Sequence, residues 1–262
     1  MCLSNNAKGG SAVKKQTKVW LVIAAFLILA GLIVHSVLHN GSYETNTYEI
    51  TESFHNLSIN TDTADITFAL SEDGKCRVQC YEEEKVKHCV TIREDTLVIE
   101  VVNSKSWYDY IGINISSPKI TVFLPKAQYD SFLIDVSTGN VRIGNLSVKE
   151  LNISVSTGDV TLANLPCNNL TSTGSTGNVH LDHVTAAQKL SIERSTGNVK
   201  FDGCDAAEIF VETNTGNVTG SLLTEKIFFT HTDTGRIDVP QTVTGGKCEI
   251  ITDTGNIKIT IA

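Results

Sequence analysis

The sequence lacks the short motifs that identify the common classes of enzyme. It contains no nucleophile elbow, no His-Glu-x-x-His pair and no phosphate-binding glycine loop. Its seven cysteines are not spaced as metal ligands or as the framework of a small disulfide-rich domain. The spacing of Cys80 and Cys89 also allows a disulfide across a hairpin. We therefore predict a protein that is not an enzyme and that carries no cofactor.

What the sequence contains instead is a repeat. Thr-Gly pairs recur through the second half of the chain at steps of 19, 19, 20, 19, 19 and 20 residues. A fixed period of this size is typical of architectures built from stacked supersecondary units. The stretch Asn60–Phe68 fits the same frame with Ala64 in the glycine position, which indicates a degenerate first unit. The seven glycines are Gly139, Gly158, Gly177, Gly197, Gly216, Gly235 and Gly255.

Apolar and polar residues alternate on both sides of each glycine, which predicts a strand, a Thr-Gly-Asn turn and a second strand per unit. One unit cannot bury its apolar face alone, whereas stacked units bury all their faces in one core. We therefore predict an all-β fold: a parallel β-solenoid, or β-helix-like stack, of about seven coils of 19–20 residues. Strands in such a stack lie about 4.8 Å apart. The second position after the glycine illustrates the pattern: Val141, Val160, Val179, Val199, Val218, Ile237 and Ile257.

The N-terminal 38 residues differ from the rest. Residues 1–18 carry four lysines and no acid, and residues 19–38 are almost entirely apolar. Twenty apolar residues are enough to span a bilayer, and the preceding lysines predict a cytoplasmic N-terminus. We therefore expect a basic cytoplasmic tail (1–18), a single-pass transmembrane signal-anchor helix (19–38) and an extracytoplasmic domain (39–262). A cleaved signal peptide is the competing interpretation, although no small-x-small cleavage site follows the apolar run.

Within the exported domain, we expect a β-rich N-terminal lead-in and cap over residues 42–130 and regular Thr-Gly-Asn coils over 131–262. The domain is acidic: four of the 21 basic residues precede it, so 17 face all 29 acids, a net charge of −12. Such a charge argues against nucleic acid as a partner and against docking on anionic lipid.

These features together resemble the bacterial putative-adhesin family of membrane-anchored β-strand-repeat proteins. The resemblance rests on the N-terminal anchor, the strand-rich lead-in, the "FLP" strand before the repeats and the phased "STGNV" coils, and it covers roughly residues 50–262. It implies a protein of the bacterial cell envelope, sometimes connected with envelope-stress systems, and it implies no catalytic residues. Arg236 departs from the pattern, since Asn or Asp usually follows the corner glycine.

Three groups of residues are candidates for a site. Asp233 and Asp253 stack two positions before the glycine and are weak candidates for a cation such as calcium, with Arg236 as the alternative neutralising group. The aromatic cluster Trp107, Tyr108 and Tyr110 is either a partner-binding surface or packing over the first coil. The third group, Lys258 and Ile259, lies in the last repeat, whose strands we expect to form the open edge of the stack.

We therefore expect a non-enzymatic, membrane-anchored, adhesin-like binding or scaffold domain of the cell envelope. Its expected partners are the membrane through the N-terminal helix, a cell-wall polymer, glycan or envelope protein, and a second copy at the C-terminal coil. The alternative is a regulatory accessory protein of an envelope-stress sensing system.

Overall fold

The computed structural model describes residues 43–105 and 117–262. The expectations for the basic tail, for the transmembrane segment and for Trp107, Tyr108 and Tyr110 fall outside these ranges. Within them, no helix has the length and apolar character needed to cross a membrane. The described residues form eighteen strands: β1 (Tyr43–Ile50), β2 (Asn56–Thr63), β3 (Asp65–Leu70), β4 (Cys76–Glu83), β5 (Val86–Arg93), β6 (Thr96–Asn103), β7 (Lys119–Leu124), β8 (Gln128–Thr138), β9 (Val141–Gly144), β10 (Ser147–Thr157), β11 (Val160–Thr176), β12 (Val179–Thr196), β13 (Val199–Thr215), β14 (Val218–Leu222), β15 (Lys226–Thr234), β16 (Ile237–Asp238), β17 (Gly246–Thr254) and β18 (Ile257–Ile261).

Two parallel ladders run through the stack, one on each side of the Thr-Gly corners. The strands before the corner follow the order β6, β2, β8, β10, β11, β12, β13, β17, β15. The strands after it follow the order β7, β3, β9, β11, β12, β13, β14, β18, β16. The all-β prediction is confirmed, and neighbouring coils pair in parallel, as in a β-solenoid.

The alternation of inward and outward residues is as expected. Val199, two residues after a corner glycine, is completely buried, whereas the side chain of the next residue, Lys200, is 55% exposed. The same position is buried in six of the seven repeats and exposed only in Ile237. The 20-residue step from Gly177 to Gly197 is absorbed by a bulge between Ala186 and Lys189, which leaves the inward register unchanged.

Close approach of the coils explains the corner glycines. A Cβ atom on Gly177 would lie 2.0 Å from the carbonyl oxygen of Gly158 in the adjacent coil. The φ angle of Gly177 is +135°, which L residues rarely adopt. Ala64 is tolerated in the glycine position of the degenerate first unit because its backbone does not adopt a positive φ angle. The repeated Thr-Gly is therefore a structural requirement.

The residue after each corner glycine joins neighbouring coils through its side chain, in a series that we call the Asn ladder. Asn178 donates its backbone N–H to Oδ1 of Asp159 at 2.7 Å, and Asn198 donates to Oδ1 of Asn178 at 3.0 Å. Arg236, which has no side-chain acceptor, donates to Asn256 at 2.9 Å and ends the ladder. Along the stack the ladder consists of Asp65, Asn140, Asp159, Asn178, Asn198, Asn217, Asn256 and Arg236.

A second corner was not recognised in the sequence. Six residues after the corner glycine, four successive coils place a residue in the left-handed region, with φ between 49° and 58°. Asn and Gly adopt this conformation most readily. The four residues are Asn145, Asn164, His183 and Gly203.

The N-terminal end of the stack is closed by antiparallel strands. β4 pairs antiparallel with β7 and, on its other side, with β1. β5 pairs antiparallel with β6, and a tight turn between Glu83 and Val86 connects β4 to β5. The polypeptide therefore passes from one ladder to the other at this end, and the turn brings inward residues of β4 and β5 close together.

At the C-terminal end the spatial order of the coils differs from the order in the sequence. The last repeat, β17 and β18, inserts between the coil of Gly216 and the coil of Gly235. The expectation that the final repeat forms the open edge is therefore wrong. The inserted repeat carries the more apolar inward residues and the acceptor Asn256, whereas the outermost repeat has Thr230 in a core column and Arg236 in the Asn ladder.

Candidate functional site

The outermost coil presents two strands with exposed apolar side chains, which we call the terminal edge (β15 and β16). Among the described residues, β15 has a partner on one side only, β17. Ile227 and Phe229 on this strand are 38% and 54% exposed, and Ile237 on β16 is 41% exposed. Ile257, which occupies the same core column one coil inward, is completely buried. The end of the core is therefore open to solvent on this side.

The sequence around the terminal edge explains how the last repeat can enter behind it. Gly246 begins β17 and Gly245 precedes it, and a Cβ atom on either would lie within 2.0 Å of a backbone oxygen of a neighbouring coil. Beside them, the buried Lys226 Nζ lies 2.5 Å from Asp205 Oδ1, which fixes the start of β15 to β13. Pro240, which cannot donate a ladder hydrogen bond, follows the two-residue strand β16. The outer coil is thus attached to the stack, while no described strand pairs with its outer side.

The two residues expected at the edge occupy different environments. Ile259 is 2% exposed, because β18 pairs with β14 on one side and its first two residues pair with β16 on the other. Ile259 is therefore a core residue, and the expectation that it contacts a partner is wrong. Lys258 is exposed and lines an open groove with Asp238 and Asn256.

Asp233 and Asp253 do stand side by side, at facing positions of β15 and β17. The Asp233 side chain is 67% exposed, and its Oδ1 lies 2.9 Å from Nε2 of His231. Within the part of the chain that the structure describes, neither carboxylate belongs to a group of three metal-ligating residues. No described carboxylate lies within ion-pair distance of Arg236, so the neutralising role expected for that residue is not seen.

The structure brings together one cluster of chemically competent residues that the sequence did not indicate. Cys80 and Glu82 on β4 and His88 on β5 each direct one ligand atom to a common point, with these atoms within 4.8 Å of one another. Their side chains are buried. The only sequence signal was the inward i, i+2 pair on β4, because the position of His88 depends on the β4–β5 turn.

The six cysteines in the described ranges are free thiols, including Cys80 and Cys89. Burial raises the pKa of Cys80 to about 12, with a smaller contribution from the charge of Glu82. Burial likewise raises the pKa of Cys248 to about 12. These thiols are protonated at neutral pH and are poor nucleophiles.

Comparison with known proteins agrees with this architecture. The model of the Toastrack DUF4097 family matches residues 54–260, and the chain belongs to that family. Its fold is similar to that of a putative adhesin from Bacteroides fragilis, with a TM-score of 0.55 and 20% identity over 84% of this chain and 97% of that one. A putative adhesin from Parabacteroides merdae matches 84% of this chain and 97% of its own at 14% identity and a TM-score of 0.46. A putative lipid binding protein from Parabacteroides distasonis matches 84% of this chain and 98% of its own at 16% identity and a TM-score of 0.45. No curated protein matches the sequence.

Proposed function

We propose that this chain is a non-enzymatic, membrane-anchored, adhesin-like binding domain of the cell envelope, and that its terminal edge pairs with the terminal edge of a second copy. The observation that carries the proposal is the exposure of Ile227 and Phe229 on β15 and of Ile237 on β16, since each strand pairs with another described strand on one side only. A long apolar edge strand is a template for pairing with another strand, and soluble proteins usually protect such edges.

The sequence of the edge favours a second copy as the occupant. If two β15 strands pair antiparallel about Phe228, Ile227 of each strand faces Phe229 of the other. Cross-strand aromatic and β-branched pairs stabilise antiparallel sheets. Both partners of this pair are exposed in the single chain. The symmetric arrangement therefore covers the apolar residues of both copies with two identical contacts, as in most homodimers.

The position of the edge in the stack suits an adhesive role. The chain enters the domain at β1, and the terminal edge lies ten strand spacings from β1 along the ladder, about 48 Å at 4.8 Å per spacing. Among the described strands, the terminal edge is therefore at the opposite end of the stack from β1. Pairing there links two copies without contact between their β1 ends.

The test is the oligomeric state of the purified full chain in mild detergent, measured by size-exclusion chromatography with light scattering over rising concentration. We expect the wild type to form dimers, and Phe229→Asp to remain monomeric because the change places a charge in the apolar pair. Leu133→Asp is the matched control, since Leu133 occupies the same outward column in β8, inside the stack, and is 52% exposed. A wild type that is monomeric at every concentration refutes pairing of two copies. Dimers that survive Phe229→Asp refute the assigned edge.

The anchor and the topology are tested separately. A reporter that is active only outside the cytoplasm, fused after Ala262, should be active and should sediment with membranes. A secreted, soluble fusion without residues 1–38 would show that the N-terminal segment is a cleaved signal peptide.

A further inference from the structure

We propose that Cys80, Glu82 and His88 form a zinc-binding site inside the N-terminal end of the stack. The three residues come together for a local reason. Cys80 and Glu82 are two residues apart on β4 and therefore point to the same, inward face. The turn between β4 and β5 then folds His88 over both, so that His88 Nδ1 lies 2.8 Å from Glu82 Oε2.

The donor atoms are those that zinc prefers. A thiolate sulfur, an imidazole nitrogen and a carboxylate oxygen all occur as protein ligands of Zn²⁺, at bond lengths of about 2.0–2.3 Å. Tetrahedral geometry with such bonds places ligand atoms about 3.3–3.8 Å apart. The three ligand atoms lie within 4.8 Å of one another, so small side-chain movements are sufficient. Calcium and magnesium require sets of oxygen ligands, which this cluster does not offer.

Both Glu82 and His88 already have the outer partners that metal ligands need. Thr61 Oγ1 lies 2.9 Å from Nε2 of His88, which leaves Nδ1 directed toward Glu82. Asn46 donates from Nδ2 to Oε1 of Glu82 at 2.8 Å, which leaves Oε2 on the side of His88. Hydrogen bonds of this kind fix the tautomer and orientation of metal-ligating side chains.

The charge of the site also favours a divalent cation. Glu82 is completely buried, and no lysine or arginine of the described chain is within ion-pair distance of its carboxylate. Buried charges are costly unless they are hydrogen-bonded and paired or coordinate a metal ion. When Zn²⁺ binds, Cys80 releases its thiol proton to solvent, and the proton of the neutral His88 ring lies on Nε2, where it donates to Thr61. The charges of Zn²⁺, thiolate and carboxylate then sum to zero.

The experiment uses the full chain, unfolded in the presence of a chelator and refolded with Co²⁺ or Zn²⁺. We expect one equivalent of metal per chain and, with Co²⁺, the near-ultraviolet absorption of a thiolate–cobalt bond together with the intense visible bands of a tetrahedral ion. Cys80→Ser should abolish the thiolate–cobalt absorption. Thr61→Val should weaken zinc binding about 10- to 100-fold, as loss of an outer partner does.

The matched control is Cys76→Ser, because Cys76 is a buried cysteine on the same face of β4 but outside the cluster. It should bind metal like the wild type. A wild-type chain without the thiolate–cobalt absorption overturns the proposal, whether or not any variant folds. Absorption that persists in Cys80→Ser, or that Cys76→Ser removes equally, also overturns it by assigning the sulfur ligand to another residue.

Discussion

The corner glycines allow a sharp test of how closely the coils stack. Gly177 combines two constraints: its φ angle is +135°, and an added Cβ would lie 2.0 Å from the oxygen and 2.5 Å from the carbon of the Gly158 carbonyl. Gly74 has only the first type of constraint, since its φ angle is +71° and no atom of the described residues lies within 4 Å of the added Cβ. Comparing Gly177→Ala with Gly74→Ala therefore isolates the steric term.

The expected magnitudes follow from these geometries. A non-glycine residue in the left-handed region costs about 1–2 kcal/mol, which is the whole effect expected for Gly74→Ala. Gly177→Ala adds an overlap with backbone that no side-chain rotation relieves, and forced overpacking costs about 1–3 kcal/mol or more. We expect a total loss of about 2–5 kcal/mol for Gly177→Ala. A domain of this size loses about 2–4 °C in Tm per kcal/mol, so the overlap term of at least about 1 kcal/mol should separate the two variants by at least about 2–4 °C.

The assay is thermal unfolding of the purified variants followed by circular dichroism in the strand region. Ala64→Gly serves as a reverse control, because Ala64 occupies the glycine position of the degenerate unit without a positive φ angle. It should change stability by less than about 1 kcal/mol, through the flexibility of the unfolded chain. If Gly177→Ala melts within about 2 °C of Gly74→Ala, the coils do not approach as closely as the structure shows.

Three further predictions concern the core. Val199→Asp should unfold the domain or lower its stability by more than about 4 kcal/mol because it buries an unpaired charge, whereas Lys200→Thr should melt like the wild type. Equal losses of stability in the two variants would show that the inward and outward residues are assigned wrongly by one position. Because burial raises the pKa of Cys248 to about 12, the folded chain keeps a proton that the unfolded chain loses above about pH 9, so stability falls as pH rises. Between pH 8 and pH 10, the free energy of unfolding measured with denaturant should fall by about 1.4 kcal/mol more in the wild type than in Cys248→Val. Equal decreases would show that the Cys248 thiol is solvated in the folded chain. Burial lowers the pKa of Arg194 to about 10, and its Nε has no hydrogen-bond partner in the described chain. Arg194→Met should therefore raise the free energy of unfolding by about 1–2 kcal/mol, measured by urea unfolding at pH 7. A decrease would show that the hydrogen bond of Arg194 to Ser172 outweighs the cost of burying the charge.

Much of the fold was predictable because its signals are local and periodic. The spacing of the Thr-Gly pairs gave the coil length, and the alternation around Val199 and Lys200 gave the inward face. The bulge after Ala186 shows why a 20-residue step did not disturb the pattern, since an extra residue there leaves the flanking strands in register. These features depend on interactions within one repeat or between identical positions of neighbouring repeats, and both produce a periodic residue pattern that is visible in the sequence.

The order of the coils and the candidate sites depended on the tertiary structure. Repeats that resemble one another can stack in either order, and only the fit of Asn256 beneath Arg236, with Gly245 and Gly246 allowing β17 to enter, places the last repeat inside. That insertion buries Ile259 and exposes Phe229. The Cys80–Glu82–His88 cluster likewise requires a turn that connects two ladders. The sequence by itself determined the repeating unit and its inward face, whereas contacts between residues distant in the chain decided which strand ends the stack and which side chains meet inside it.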